Sequence, residues 1–301
     1  MEDVLRFKTI REYNAFNNHT TLHPLVSIVD LSKADPRELR RMAYEFYVVF
    51  LKQIYCGDLR YGLNTYDYEE GTLIFLAPGQ IIGENDKENI YQPQGYALVF
   101  HPDLLQGTTL GRHMSDYTFF SYEVSEALHL SEKERMIVRD CFSKIEYELG
   151  QGIDKHSKKL IAANIELFLD YCVRFYDRQF ITRETANKGI LERFDSLLNQ
   201  YFQSDKPTKI GLPTVAYCAE ELNLSSNYFG DLIKKDTGKS AQEFIQMTII
   251  NMAKERVFDL DKSVGEIAYE LGFKYPQHFS RLFKQRVGQT PNEYRLLKNV
   301  N

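Results

Sequence analysis

The chain has 301 residues, of which 43% are hydrophobic and 26% charged, proportions that exclude a mostly disordered, collagenous or fibrous protein. At about 150 residues per domain this length predicts two domains. The net charge of -5 argues against a nonspecific polyanion binder, but the charge is uneven: residues 190–301 hold 15 basic and 14 acidic side chains, and residues 1–189 hold 22 and 28.

The first residues, Met1 to Tyr13, mix acids, bases and Asn without an apolar core or a small-residue cleavage site, so no secretory signal is expected and the cytoplasm is the expected location. The longest apolar run, Phe46 to Leu51, is far short of the roughly 20 residues of a membrane helix. From Leu25 to His101, short β-rich runs (Leu25–Val29, Phe46–Ile54, Leu73–Leu76 and Tyr96–Phe100) alternate with the breakers Cys56-Gly57-Asp58, Glu70-Gly71, Ala77-Pro78-Gly79 and Gln94-Gly95. This spacing predicts a small antiparallel β-barrel.

Past Ser131 the period changes to about 3.6. The capping box Ser131 to Glu134 opens a helix whose stripe is Ile137, Cys141, Phe142, Ile145 and Leu149. A second helix is predicted from about Asp154 to Asp177, with Leu160, Ile161, Ile165, Phe168, Leu169, Cys172 and Val173 on its apolar face. These paired helices could join a second copy, giving a homodimer. Residues 179–190 are polar and read as a linker between domains at 1–178 and 191–301. Leu191, Phe194, Leu197, Leu198, Tyr201 and Phe202 then keep helical spacing as far as Ser204-Asp205-Lys206-Pro207, and the remainder is helical. The expected fold class is therefore α+β in two domains, with an all-α C-terminal part.

Cys56, Cys141, Cys172 and Cys218 are too scattered for a zinc site or a redox pair and read as buried reduced thiols. His19 and His23 precede the barrel strands, His101 stands alone beside Pro102, and His113, His129 and His156 fall outside them; no His-x-His pair occurs. No metal and no cofactor is expected. With no nucleophile elbow, phosphate loop or Cys-x-x-Cys either, an enzyme, a metal-dependent barrel included, is the rejected alternative.

The informative feature is a repeat about fifty residues long. Val215, Ala219 and Leu222 match Val264, Ala268 and Leu271; after a one-residue shift, Phe229, Leu232, Lys234, Gly238 and Glu243 match Phe279, Leu282, Lys284, Gly288 and Glu293, with Ser240/Thr290 and Phe244/Tyr294 as conservative pairs. Each copy, about 213–238 and 263–288, reads as helix, tight turn and second helix ending at Gly. The second helices put Phe229, Leu232 and Ile233, and Phe279, Leu282 and Phe283, inward. Asn227, Asp231, Lys234 and Lys235, and Gln277, His278, Arg281 and Lys284, are left outward.

The segment VGEIAYELGFKYPQHFSRLFKQRVGQTPNEYR at residues 264–295 resembles the signature of AraC/XylS-family transcription regulators. The resemblance covers roughly residues 190–298 and includes Ala268, Gly272-Phe273, Phe279-Ser280-Arg281, Phe283-Lys284, Gly288, Pro291 and Tyr294-Arg295. It implies a sequence-specific regulator that binds successive major grooves of double-stranded DNA through two recognition helices and works with RNA polymerase. It also implies that the β-rich region and its helices form a cupin-like effector-sensing and dimerising domain.

In that frame Gln277, His278 and Arg281 are the base readers of the second copy, Arg281 suiting guanine and Gln277 adenine. Ser226, Asn227 and Asp231 are the weaker candidates of the first copy, because Asp231 repels phosphate. Lys234, Lys235, Lys239, Lys274, Lys284 and Arg286 are candidate phosphate partners. Tyr44, Phe46, Tyr61, Tyr66, Phe75 and Tyr96 are candidate lining for a small-molecule effector pocket. A constitutive regulator whose barrel only dimerises is the alternative.

Overall fold

The computed structural model of the chain describes residues 4–52, 71–83, 86–182 and 184–297. The chain divides into two compact units, Met1–Thr182 and Arg183–Asn301. Cys56, Tyr61 and Tyr66 lie outside the described residues.

The strands of the first unit are β1 (Val4–Phe7), β2 (Val26–Asp30), β3 (Arg37–Leu39), β4 (Arg41–Tyr44), β5 (Tyr47–Lys52), β6 (Thr72–Leu76), β7 (Ile81–Ile82), β8 (Asp86–Tyr91), β9 (Tyr96–Phe100) and β10 (Leu128–His129). Its helices are α1 (Ile10–Phe16), α2 (Pro102–Leu105), α3 (Thr109–His113), α4 (Glu132–Gly150) and α5 (Ser157–Thr182). All four predicted β-rich runs hold strands, β2, β5, β6 and β9, residues 53 and 54 of the second run lying outside the described residues. They do not close into a barrel among the described residues: β10-β6-β5-β9-β2 form one antiparallel sheet, β1-β4-β7 a second and β3-β8 a ribbon. The pairing of β1 with β4 is parallel, Val4 lying opposite Arg41.

The five-stranded sheet is buried on both faces. Val48, Ile74, Leu76, Ala97 and Val99 join Phe7, Ile10, Tyr13, Tyr44 and Phe46 in a core on the α1 side. The alternate residues turn the other way, where Phe75 lies 4.4 Å from Phe119 and 6.1 Å from Tyr176, ring centroid to centroid. Val48, Val49, Leu51, residues 73–76 and residues 97–100 are at most 4% exposed. Continuous apolar runs, instead of polar alternation, are what two-sided burial requires.

Helices α4 and α5 form an antiparallel pair. Phe142 lies 5.3 Å from Phe168, and Arg178 Nη2 donates to Glu134 Oε2 at 2.7 Å and to the His129 carbonyl at 2.6 Å. The expected capping box is present, with the Glu134 N–H donating to Ser131 Oγ at 3.4 Å and the Ser131 N–H to Glu134 Oε2 at 2.8 Å. Val138 replaces Ile137 on the buried stripe. Leu160 and Val173, expected on the apolar face of α5, instead lie 44% and 41% exposed, outside the arc of Ile161, Ile165, Phe168, Leu169 and Cys172.

The polar stretch at 179–190, read as a linker, contains the division between the two units and is helical where it is described. Helix α5 continues to Thr182, and α6 begins at Glu184. Gln179 is polar because its buried amide serves two backbone groups: Oε1 accepts from the His129 N–H at 2.8 Å and Nε2 donates to the Ala127 carbonyl at 3.2 Å. Among the described residues no helix is long and apolar enough to cross a membrane, and no cluster of His, Cys, Asp and Glu could hold a metal ion.

Candidate nucleic-acid interface

The second unit consists of α6 (Glu184–Gln203), α7 (Lys206–Ile210), α8 (Val215–Glu221), α9 (Ser226–Thr237), α10 (Ala241–Arg256), α11 (Val264–Glu270), α12 (Pro276–Val287) and α13 (Pro291–Leu297). The repeat legible in the sequence is a repeat in space. Helices α8 and α11 have seven residues each, and α9 and α12 have twelve. In both copies the chain turns the same way, the Leu224 N–H donating to the Ala219 carbonyl and the Phe273 N–H to the Ala268 carbonyl, each at 2.9 Å. The turns require left-handed backbone, supplied by Asn223 at φ 57° and by Gly272 at φ 92°. The one-residue shift is located here: four residues separate α8 from α9 and five separate α11 from α12, Lys274 being the addition.

Local capping sets the helix boundaries. Thr214 Oγ1 accepts from the Tyr217 N–H at 3.1 Å, and Ser225 Oγ from the Tyr228 N–H at 3.2 Å. Ser240/Glu243, Ser263/Glu266 and Thr290/Glu293 form reciprocal boxes at α10, α11 and α13. Left-handed Gly238 and Gly288 end α9 and α12, the role expected of both.

The boxes make a pH prediction. Bonds from the cap backbone and hydroxyl hold the Glu243, Glu266 and Glu293 carboxyls below the usual glutamate value of 4.5. Their stabilisation is present above that value and is lost as pH falls through the lowered ones. Hydrogen exchange between pH 5 and 3 is expected to show α10, α11 and α13 losing protection at their first turns. A Glu266→Gln chain is expected to show a smaller pH-dependent loss at α11.

Phe229, Leu232, Ile233, Phe279 and Phe283 are buried as expected, while Leu282 is half-buried. Phe229 is edge-on to Phe194 at 4.9 Å; Phe279 lies 5.3 Å from Phe273 and 5.7 Å from Phe283. Between the copies, α10 buries Ala241, Ile245, Ile249, Ile250 and Ala253. On α12 the residues Gln277, His278, Arg281 and Lys284 share the exposed face. Gln285 shares it too; it was absent from the expected set, although the i, i+4 row from Arg281 points to it.

The first copy presents less. Ser226, Asn227, Lys234, Lys235 and Lys239 are exposed and Asp231 is half-buried, but Tyr228, the counterpart of His278, is 5% exposed and belongs to the core. Asp231 and Asp236 balance Lys234 and Lys235 on α9, whereas α12 carries Arg281, Lys284 and Arg286 with no acid. Arg286, expected at a phosphate, is turned to α10, where Nη2 donates to Gln246 Oε1 at 2.7 Å and lies 4.0 Å from Glu243 Oε1. Lys274 is exposed, its Nζ 5.7 Å from the centre of the Tyr275 ring.

The described effector-pocket candidates separate. Tyr44 and Phe46 lie in the core on the α1 side of the five-stranded sheet, while Phe75 and Tyr96 lie on the opposite side. There the Arg139 guanidinium of α4 covers the Tyr96 ring at 3.9 Å. Strand alternation therefore gives these four residues no common cavity.

A helix-turn-helix domain model matches residues 218–296. The uncharacterised HTH-type transcriptional regulator YtdP of Bacillus subtilis is 31% identical over 111 residues, 37% of this chain and 14% of that protein. The HTH-type transcriptional activator RhaS of Salmonella arizonae is 32% identical over 147 residues, 48% of this chain and 49% of that protein. The chain thus spans about half or less of the length of these relatives. A solved transcriptional regulator from Chromobacterium violaceum, described as of AraC-type DNA-binding-domain-containing proteins, is 20% identical with a TM-score of 0.33, covering 37% of this chain and 94% of that one.

Proposed function

We infer, from the AraC-type helix-turn-helix domain that the second unit carries, that this chain is a sequence-specific DNA-binding transcription regulator. The observation that carries the reading is the pair of twelve-residue helices, α9 and α12, set in one duplicated frame, with the outer face of α12 cationic and unencumbered by acids. Helices of this kind enter successive major grooves, phosphates supplying affinity and base edges specificity. Lys234, Lys235, Lys239, Lys274 and Lys284 serve phosphates; Gln277, His278 and Arg281 read bases.

The first unit is the sensing and dimerising part, a cupin-like arrangement in which α4 and α5 present Met136, Leu160 and Leu167 outward to a second copy. Binding of a small effector would change promoter engagement by population shift, and the bound regulator would act on RNA polymerase.

The test is selection of genomic fragments by the purified full chain across a salt titration. Enrichment of a two-part site is expected, with log affinity falling by about 0.9 per contacted phosphate for each tenfold rise in salt. No enrichment, either alone or with metabolite pools added, would overturn the reading. Sedimentation of the full chain at micromolar concentration is expected to give a dimer; a strict monomer would refute α4 and α5 as an interface.

A further inference from the structure

Arg286, in the last turn of α12, is a cation set apart from the others of that helix. By helix periodicity it points about 140° round the axis from Arg281. Its Nη2 donates to Gln246 Oε1 at 2.7 Å, a charge-assisted bond, and stands 4.0 Å from Glu243 Oε1. Glu243 and Gln246 share one face of α10 near its start. The duplication does not supply this contact, because the counterpart of Arg286 in the first copy is Asp236.

The start of α10 is rigidly continuous with the end of α9. Residues 238–240 alone separate the two helices. The Gly238 N–H donates to the Lys234 carbonyl at 2.9 Å, and Thr237 Oγ1 donates to the Ile233 carbonyl at 2.7 Å and accepts from the Lys239 N–H at 3.2 Å. Glu243 Oε2 accepts from the Ser240 N–H at 3.0 Å and from its hydroxyl at 2.9 Å, leaving Oε1 toward the arginine. The ring contacts that anchor α12, Phe279 with Phe273 and Phe283 with Tyr294, belong to the second copy and the helix after it. The bond from Arg286 instead crosses to the junction that ends α9.

We propose that Arg286 is a positioning residue: it fixes the angle between the two reading helices and so restricts the chain to two-part DNA sites of one spacing. This rests on the reading of α9 and α12 as helices that enter successive major grooves. Gln277, at the other end of α12, is about 14 Å along the axis from Arg286, so a tilt of α12 released at Arg286 displaces the base readers. One base pair more or less between the two parts of a site turns the second groove by about 35° round the duplex, since a turn holds about 10–10.5 base pairs. A clamped pair of helices cannot follow that rotation, and a loosened pair follows it at the cost of pre-organisation for the native site.

The full chain, Arg286→Met, Gln246→Met and the double variant are titrated against the site that the parent selects and against that site with one base pair added or removed between its parts. The ratio of affinities, native spacing over altered, is expected to fall about 3- to 10-fold in each single variant, the scale of one hydrogen bond, and no further in the double variant. Arg286→Lys, which keeps a donor for Gln246, is expected to retain the greater part of the parent's ratio. The salt slope is expected to stay that of the parent, because no phosphate contact is lost. Gln246→Met leaves every cation in place and carries the test alone if Arg286→Met melts well below the parent. A parent-like ratio in a folded single variant, additive losses in the double variant, or a salt slope flattened by about 1 in Arg286→Met would each overturn the proposal and leave DNA recognition standing. A parent chain that selects no two-part site would overturn both.

Discussion

Arg281→Ala is expected to bind the selected DNA site about 5- to 150-fold more weakly, a loss of about 1–3 kcal/mol, and to lose preference at one base pair. Arg281 is exposed on α12, two residues beyond the Phe279 that anchors this helix in the core. Its planar fork can meet both acceptors of a guanine edge, whereas the other arginine of α12, Arg286, is turned to Gln246 on α10. The equivalent position of α9 holds Asp231, and the residue before its anchoring Phe229 is the buried Tyr228, so Asn227→Ala is expected to cost less. Competition binding against a randomised site library checks the ranking. An equal or larger loss of specificity from Asn227→Ala would assign the main reading to the first copy. Lys284→Ala, by contrast, is expected to weaken all sequences alike and to flatten the salt slope by about 1.

Gly272→Ala is expected to destabilise the second unit by about 2–5 kcal/mol, the combined scale of a side chain forced into left-handed backbone and of overpacking. The residue has φ 92°, and a Cβ there would lie 2.8 Å from the carbonyl carbon and oxygen of Gly211 and 3.1 Å from the Pro207 carbonyl oxygen. Both obstacles are backbone, so no side chain can swing aside. Gly211 is held from its other side as well, its carbonyl accepting from the Tyr201 hydroxyl at 2.8 Å. The turn of the second copy therefore rests on the chain that leads into the first. Hydrogen exchange of the full chain is expected to show α11 and α12 opening more readily in the variant; unchanged protection would mean that the 207–211 segment yields without cost. Asn223, the matching turn residue, is the control: Asn223→Gly is expected to be nearly neutral, because Gly accepts the same φ.

The second unit was legible because its determinants are local. Ser225, Ser240 and Ser263 cap helices within three residues of themselves, and Gly238 and Gly288 end them in place. The exposed rows of α9 and α12 follow from helix periodicity once Phe229, Leu232, Phe279 and Phe283 are assigned inward. The same periodicity places Arg286 seven residues after Phe279 and Tyr228 four before Leu232, on or beside the inward stripes, and accordingly one is engaged by α10 and the other by the core.

In the first unit β2, β5, β6 and β9 were legible, but the six other strands among the described residues and the partners of all of them were not. The parallel match of Val4 with Arg41 and the run of β9 between β5 and β2 depend on chain distant in sequence. Two-sided burial also erased the alternation that would have separated Tyr44 and Phe46 from Phe75 and Tyr96. Gln179, polar in composition, belongs to α5 and serves buried backbone, a use that composition does not reveal.

That two-sided sheet is a wall shared by two rooms. Ile74 and Phe75 are consecutive, yet the first packs toward α1 and the second toward Tyr176 of α5. The same holds for Val48 with Val49 and for Ala97 with Leu98. Because close-packed interiors transmit displacement instead of absorbing it, no strand of this sheet can slide or tilt for one room alone. A disturbance entering beside α1 is carried through the backbone to the helical side without any polar relay.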